Sequence, residues 1–268
     1  KGGAKARFGN RISGVIDIST KENNTNEIKG GFGFNLTHAD AYLNTKITDK
    51  LGVVISARRS ITDAIETKTF DKFSKKVFQN TKISNGNRVF EEDVVTNVKD
   101  LFYFNDYYIK LKYNHSEKDE FSFSNISVKN KLEYEFLIEE FDELSNDKLN
   151  IDNTGFNFLW KHKTSSNFSY NINSYYSDFD LDYEGANLYI DEVQNKTIKK
   201  NSVKDFNFGV YTKWKLSDYK NLSFGYQFSN NKVDYTLGYE NVFFESDNFN
   251  DLVSDTNNTH ALYSEYEI

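Results

Sequence analysis

Along most of this chain, apolar and polar residues alternate one by one. In the stretch NDYYIKLKYN, Tyr107, Ile109, Leu111 and Tyr113 are apolar while Asp106, Lys110 and Lys112 are charged, with Tyr108 the exception. The same period runs through Ile28, Gly30, Phe32, Phe34 and Leu36, and through Leu51, Val53, Ile55 and Ala57. It returns in Phe206, Phe208, Val210, Thr212, Trp214 and Leu216, and in Leu222, Phe224, Tyr226 and Phe228. Side chains of a strand point alternately to its two faces, so this spacing predicts strands with one apolar and one polar face. About ten are predicted after Lys21: 27–36, 38–48, 51–60, 105–114, 120–135, 150–163, 167–183, 202–216, 221–237 and 258–268.

The predicted connections form a second pattern. HSEKD (115–119), TSSN (164–167) and SDYKN (217–221) are short, with DK (49–50) an earlier member of the set. The intervening ones, 61–104, 136–149, 184–201 and 238–257, are long. Short turns at one end and long loops at the other suit a transmembrane β-barrel and have no reason to arise in a soluble sandwich. Tyr113, Trp160 and Trp214 fall just before short turns, and Phe121, Phe168 and Phe224 just after them. All six are expected at one height, as an interfacial aromatic girdle.

Two strands change phase. In EFSFSNISVKNKLEYEF the apolar set moves from Phe121 and Phe123 to Ile126, Val128, Leu132 and Tyr134. In NFSYNINSYYSDFDLDY it moves from Phe168, Tyr170 and Ile172 to Phe179, Leu181 and Tyr183. A membrane strand needs only ~9–11 residues. Either the later halves project beyond the bilayer, or a bulge intervenes.

Composition narrows the class. The 268 residues are 16% aromatic yet 27% charged, which fits neither a disordered chain nor a bundle of apolar membrane helices. Proline is absent, as suits a chain of hydrogen-bonded strands, and the absence of cysteine removes disulfides, thiolate metal sites and cysteine nucleophiles. A net charge of −7 argues against a nucleic-acid surface. The chain begins with Lys1 and contains no methionine, so it reads as a piece of a longer protein.

The opening residues Phe8-Gly9-Asn10-Arg11-Ile12-Ser13-Gly14-Val15-Ile16-Asp17-Ile18-Ser19-Thr20-Lys21 resemble the last strand of the plug domain of TonB-dependent outer-membrane receptors. The following EIKGGFGFNLTHADAYLNTKITDKLGVVISARRS is similar to the first barrel strands of that family, and SARRSITD (56–63) to the third strand of its Bacteroidetes-type members. The resemblance is specific over roughly the first 63 residues and architectural beyond them. Glycan-importing members usually carry Arg-Gly-Ala-Asn-Gly where this chain has Asn10-Arg11-Ile12-Ser13-Gly14, which makes that branch a poorer fit.

The resemblance implies an all-β fold, part of a large antiparallel barrel of about 22 strands when complete, its lumen filled by a plug. Residues 1–21 would end the plug, and 22–268 would supply the first ~10 strands, with long extracellular loops. It implies active import of a scarce nutrient (siderophore, cofactor, peptide or oligosaccharide) driven by the TonB–ExbB–ExbD complex, with no catalytic group and no required cofactor. Outer-membrane lipids and lipopolysaccharide would surround the wall, and a surface lipoprotein lid is a further candidate partner. The alternative is a barrel without transport, serving as a structural or interaction subunit of a surface complex.

Within that frame Arg7, Arg11 and Arg58 are the candidate plug–barrel contacts. Arg58 and Arg59 point to opposite faces, so with Val53, Ile55 and Ala57 toward lipid, Arg58 faces the lumen and Arg59 the outer rim. Asp178, Asp180, Asp182 and Glu184 stand at every second position and share one face. Such a stripe has two readings, a calcium site, which takes six to eight oxygens, or a solvated acidic face. The four histidines are dispersed, and no nucleophile triad, P-loop or dinucleotide fingerprint occurs.

Overall fold

Every second residue of this chain can be apolar only if one face of its strands meets something apolar, and the structure shows how that face is assembled. A computed structural model describes residues 5–8, 20, 27–63, 65, 68, 95–138, 143–190 and 192–268. The strands are β1 (Lys29–Phe34), β2 (His38–Lys46), β3 (Leu51–Ser60), β4 (Val95–Asn114) and β5 (Asp119–Ile138). They continue as β6 (Glu143–Lys163), β7 (Phe168–Tyr189), β8 (Glu192–Lys215), β9 (Asn221–Asn241) and β10 (Phe249–Glu267). Together they form one antiparallel sheet in which each strand pairs with its neighbours in sequence. A 3-10 turn at Ala6–Phe8 precedes them.

Three of the four predicted long connections are mostly strand. β5 runs to Ile138 and β6 starts at Glu143, β7 and β8 are separated only by 190–191, and β10 starts at Phe249. β8 alone has 24 residues. At ~3.3 Å per residue and a tilt of ~40°, a strand of this length rises ~60 Å, well above a hydrocarbon core of ~30 Å. Each of β4–β10 is therefore longer than a crossing of such a core requires, whereas β1–β3 are not. The β7–β8 hairpin turns through Ile190, which has φ 48°. A β-branched residue in the left-handed region is strained by roughly 1–2 kcal/mol. Ile190→Asn is expected to raise the denaturation midpoint by about 1 kcal/mol equivalent, measured by urea titration.

The phase changes are projection, not bulges. Pairing of β5 with β6 and of β6 with β7 runs unbroken past both points, and the two register shifts lie elsewhere, at Asn97/Lys99 and Asn187/Leu188. Polarity itself inverts along an unbroken sheet. Near the short turns, one face carries the apolar rung Tyr113–Phe121–Trp160–Ile172–Val210–Tyr226–Leu262. Three rungs farther on, the same face reads Tyr107–Ser127–Thr154–Asp178–Lys204–Lys232–Thr256. The opposite face does the reverse, changing from Ser, Asn and Lys to Ile151, Leu181 and Tyr235.

In the apolar band, Asn125 is the exception that explains the early phase change: it is buried, and its Nδ2 donates to the Gly155 carbonyl at 3.0 Å. A polar group placed toward lipid must be satisfied within the protein. The band as a whole is open: Phe123, Phe156, Phe158, Trp214 and Phe224 are about 40% exposed or more. Val53 and Tyr183 are the buried hydrophobic residues among those described. An apolar sheet face of this extent is stable only against a further apolar phase.

Candidate functional site

The face opposite the apolar band is polar near the short-turn end, and the N-terminal residues rest on it. Lys5 Nζ lies 3.0 Å from Glu267 Oε1, and the Ala6 N–H donates to Glu265 Oε2 at 2.9 Å. Gln227 Nε2 donates to the Arg7 carbonyl at 3.0 Å. At the other side of the sheet, Thr20 Oγ1 lies 2.8 Å from Tyr108 Oη and accepts from Lys110 Nζ at 3.2 Å. Glu265, Glu267, Gln227, Tyr108 and Lys110 all point to this one face, because each alternates with a residue of the apolar band. Residues 5–8 and residue 20 thus both rest on this polar face. The rest of that motif, including Arg11, lies outside the described residues.

Side chains here are placed by direct cross-strand register. Glu120 sits opposite Lys161 and accepts from it at 2.9 Å, and from Lys112 at 3.0 Å. Gly225 lies opposite Tyr263, whose ring covers it so closely that a Cβ there would collide with the ring. This glycine allows an aromatic ring to lie flat along the wall beneath the N-terminal turn. Arg58 lies on the polar face, and its described partner is on the neighbouring strand. Its Nε and Nη2 donate to Asp106 Oδ2 at 2.8 and 2.6 Å, because Asp106 is directly opposite on β4. Arg7 stacks its guanidinium 4.4 Å over the Phe8 ring, while the carboxylate Glu267 takes Lys5, a residue the sequence pattern had not singled out.

The six girdle candidates share the apolar face at the short-turn end. Tyr113, Phe121 and Trp160 occupy one rung, Phe168 pairs with Trp214, and Phe224 pairs with Thr212. Phe121 and Trp160 stack at 5.7 Å. Trp160 Nε1 donates to Asp119 Oδ1 at 3.0 Å, and His162 Nδ1 lies 2.7 Å from the same oxygen. An apolar ring with a tethered polar edge is the arrangement found where membrane meets water. On the outer rim, Arg59 pairs with Asp63 at 2.7 Å.

The stripe Asp178, Asp180, Asp182 and Glu184 is not gathered into a cluster. Successive members of one strand face stand ~6.5–7 Å apart, and lysines of β8 come between them. Lys204 lies 3.5 Å from Asp178, Lys200 3.5 Å from Asp182, and Lys196 3.2 Å from Glu184. Among the described residues no group of three or more His, Cys, Asp or Glu is arranged to hold a metal ion. The stripe is one side of a cross-strand charge ladder, a partner pattern that could be found only by pairing 178–184 with 196–204.

No protein-family model matches the chain, and no curated protein matches it. Among solved structures it is similar to the ferric yersiniabactin uptake receptor FyuA from Yersinia pestis. The TM-score is 0.53 at 10% identity, over 88% of this chain and 38% of the receptor. It is also similar to the ferric citrate transporter FecA in its unliganded form, with a TM-score of 0.41 at 9% identity, over 90% of this chain and 39% of that one, too loose to bear on the argument. The chain thus spans well under half the length of the receptors it matches. At such identity the likeness is one of fold: the chain is all-β, with the architecture of a section of an outer-membrane β-barrel wall.

Proposed function

We propose that this chain forms part of the wall of a TonB-dependent receptor, with the end of its plug, importing a scarce nutrient across the bacterial outer membrane. The observation that carries the reading is the seating of residues 5–8 and 20 on the polar face of a sheet whose other face is an open aromatic band. A wall with lipid outside and a wet, hydrogen-bonded insert inside can release that insert by exchanging its contacts for water. Closure into about 22 strands then satisfies every backbone group in the membrane. The girdle residues fix the wall at the periplasmic interface, and lipopolysaccharide meets the outer rim near Arg59. The outer membrane holds no nucleotide, so the work comes from the TonB–ExbB–ExbD complex pulling on the plug.

The test is made on the native protein. It is expected in the outer-membrane fraction, migrating differently on a denaturing gel with and without boiling, and uptake through it is expected to stop when the energising complex is deleted. A soluble protein with one mobility overturns the reading. A heat-modifiable barrel whose loss impairs assembly of a surface complex, but no uptake, favours the structural-subunit alternative.

A further inference from the structure

Above the apolar band, the inner face changes character in a way that lipid does not require. Three consecutive rungs there carry Leu149, Ile151, Phe179, Leu181, Val233 and Tyr235. The outer face at the same height carries the lysine–carboxylate ladder, so water lies outside and an apolar surface is turned inward. Val233 and Tyr235 remain nearly 40% exposed. With Val128 and Leu132 on β5, Val203 on β8 and Val253 on β10 the patch spans six strands and three rungs, roughly 24 by 15–20 Å, larger than a small organic molecule covers.

Its charge is mainly acidic. Apart from the neutral Arg58–Asp106 pair, these rungs and the two that bound them carry Asp147, Asp205, Asp251 and Asp255 against Lys199. Lys199 lies over the Tyr183 ring at 5.6 Å, and Asp147 accepts from Tyr183 Oη at 2.5 Å. Two oxygens on the same wall, Asn201 Oδ1 and Asp205 Oδ1, are buried and accept no hydrogen bond in the structure described. Tyr175 Oη donates to the other Asp205 oxygen at 3.0 Å, so the open carboxylates of this wall are chiefly those of Asp251 and Asp255, both exposed.

We infer that this inner wall binds a basic, apolar oligopeptide, with its apolar side chains on the rungs and its ammonium or guanidinium groups on the carboxylates. At ~3.3 Å per residue, five to seven extended residues cross it. An anionic chelate meets carboxylates of its own sign here. This names the cargo class for the import reading above and rests on it.

The test uses the intact full-length protein in detergent micelles, without the energising complex, and fluorescence anisotropy of two dansylated octapeptides, one alternating lysine with leucine, the other glutamate with leucine. The lysine peptide is expected to bind at least about tenfold tighter, to weaken with salt, and to lose about tenfold in the exposed double variant Asp251→Asn/Asp255→Asn. The control Asp152→Asn/Asp180→Asn, at the same height on the outer face, is expected to leave binding unchanged. Equal binding of both peptides, or equal loss in both double variants, overturns the inference. Mobility of the unboiled sample separates the failures. A heat-modifiable barrel that binds neither peptide overturns this inference alone, and a protein with one mobility overturns the import reading with it.

Discussion

Phe158→Lys is expected to cost about 2–3 kcal/mol of barrel stability, about 1–2 for a cation one rung inside the interfacial girdle on the lipid side of a membrane barrel and the rest for the lost ring contact with Phe121. Phe158 lies in the second rung of the apolar band, opposite Phe123 on β5 and Ser174 on β7, and is 41% exposed although it is a large aromatic. In water that exposure would favour the substitution; in hydrocarbon it is what makes it expensive. The neighbouring Asn157→Lys is the control. Asn157 faces the polar side, where its Nδ2 donates to Asn173 Oδ1 at 2.8 Å, so its loss is about 1 kcal/mol with no charge placed in lipid. A third position on the outer face, Asp180→Lys, lies above the band beside Asp152 and Asp178 and is expected to cost under 1 kcal/mol. Urea unfolding in phospholipid vesicles reads all three. A steep fall from Phe158 to Asp180 places the boundary of the membrane; equal effects at Phe158 and Asn157 would mean that neither face meets lipid.

That boundary was half-legible in the sequence. Where the strands cross the band, period two is clean, and β3 is predicted at its observed limits, Leu51–Ser60. Tyr113, Phe121 and Trp160 could be assigned to one face before any coordinates, because strand side chains leave no choice of face once register and turn are known. What could not be read is the strand above the membrane. Residues 184–201 contain Asn, Lys, Glu and Thr without apolar alternation, since water wets their outer face, and so they resemble a loop. Residues 184–189 and 192–201 are strand nonetheless, because β7 and β8 pair through Asn187 and Asn195 and again up to Tyr189 and Glu192. Pairing is a two-body property. The same limit hid the lysine ladder, the seat of Lys5 on Glu267 and the ring of Tyr263 over Gly225, each of which joins positions that only the folded sheet brings together.

Glu120→Ala is the second large effect, and it tests the inner face by the same logic. Glu120 stands between two ammonium groups, Lys112 at 3.0 Å and Lys161 at 2.9 Å. The Lys112 side chain is 9% exposed, so removing the carboxylate leaves a nearly buried cation without this partner, next to another of its own sign. Breaking a fully buried pair costs 3–5 kcal/mol; with Glu120 itself 27% exposed, about 2–3 kcal/mol is expected. Glu120→Gln keeps the acceptor oxygen and is expected to lose about half as much. Adding Lys112→Met to Glu120→Ala removes the buried charge together with its counter-ion, and most of the lost stability is expected to return, because a matched apolar replacement of a buried pair is often near neutral. Recovery in the double variant, read by the urea midpoint, means that the penalty comes from the Lys112 ammonium kept without this carboxylate. A double variant as unstable as the sum of its parts means that each side chain contributes by its own packing, and that the polar inner face is held by shape instead of charge.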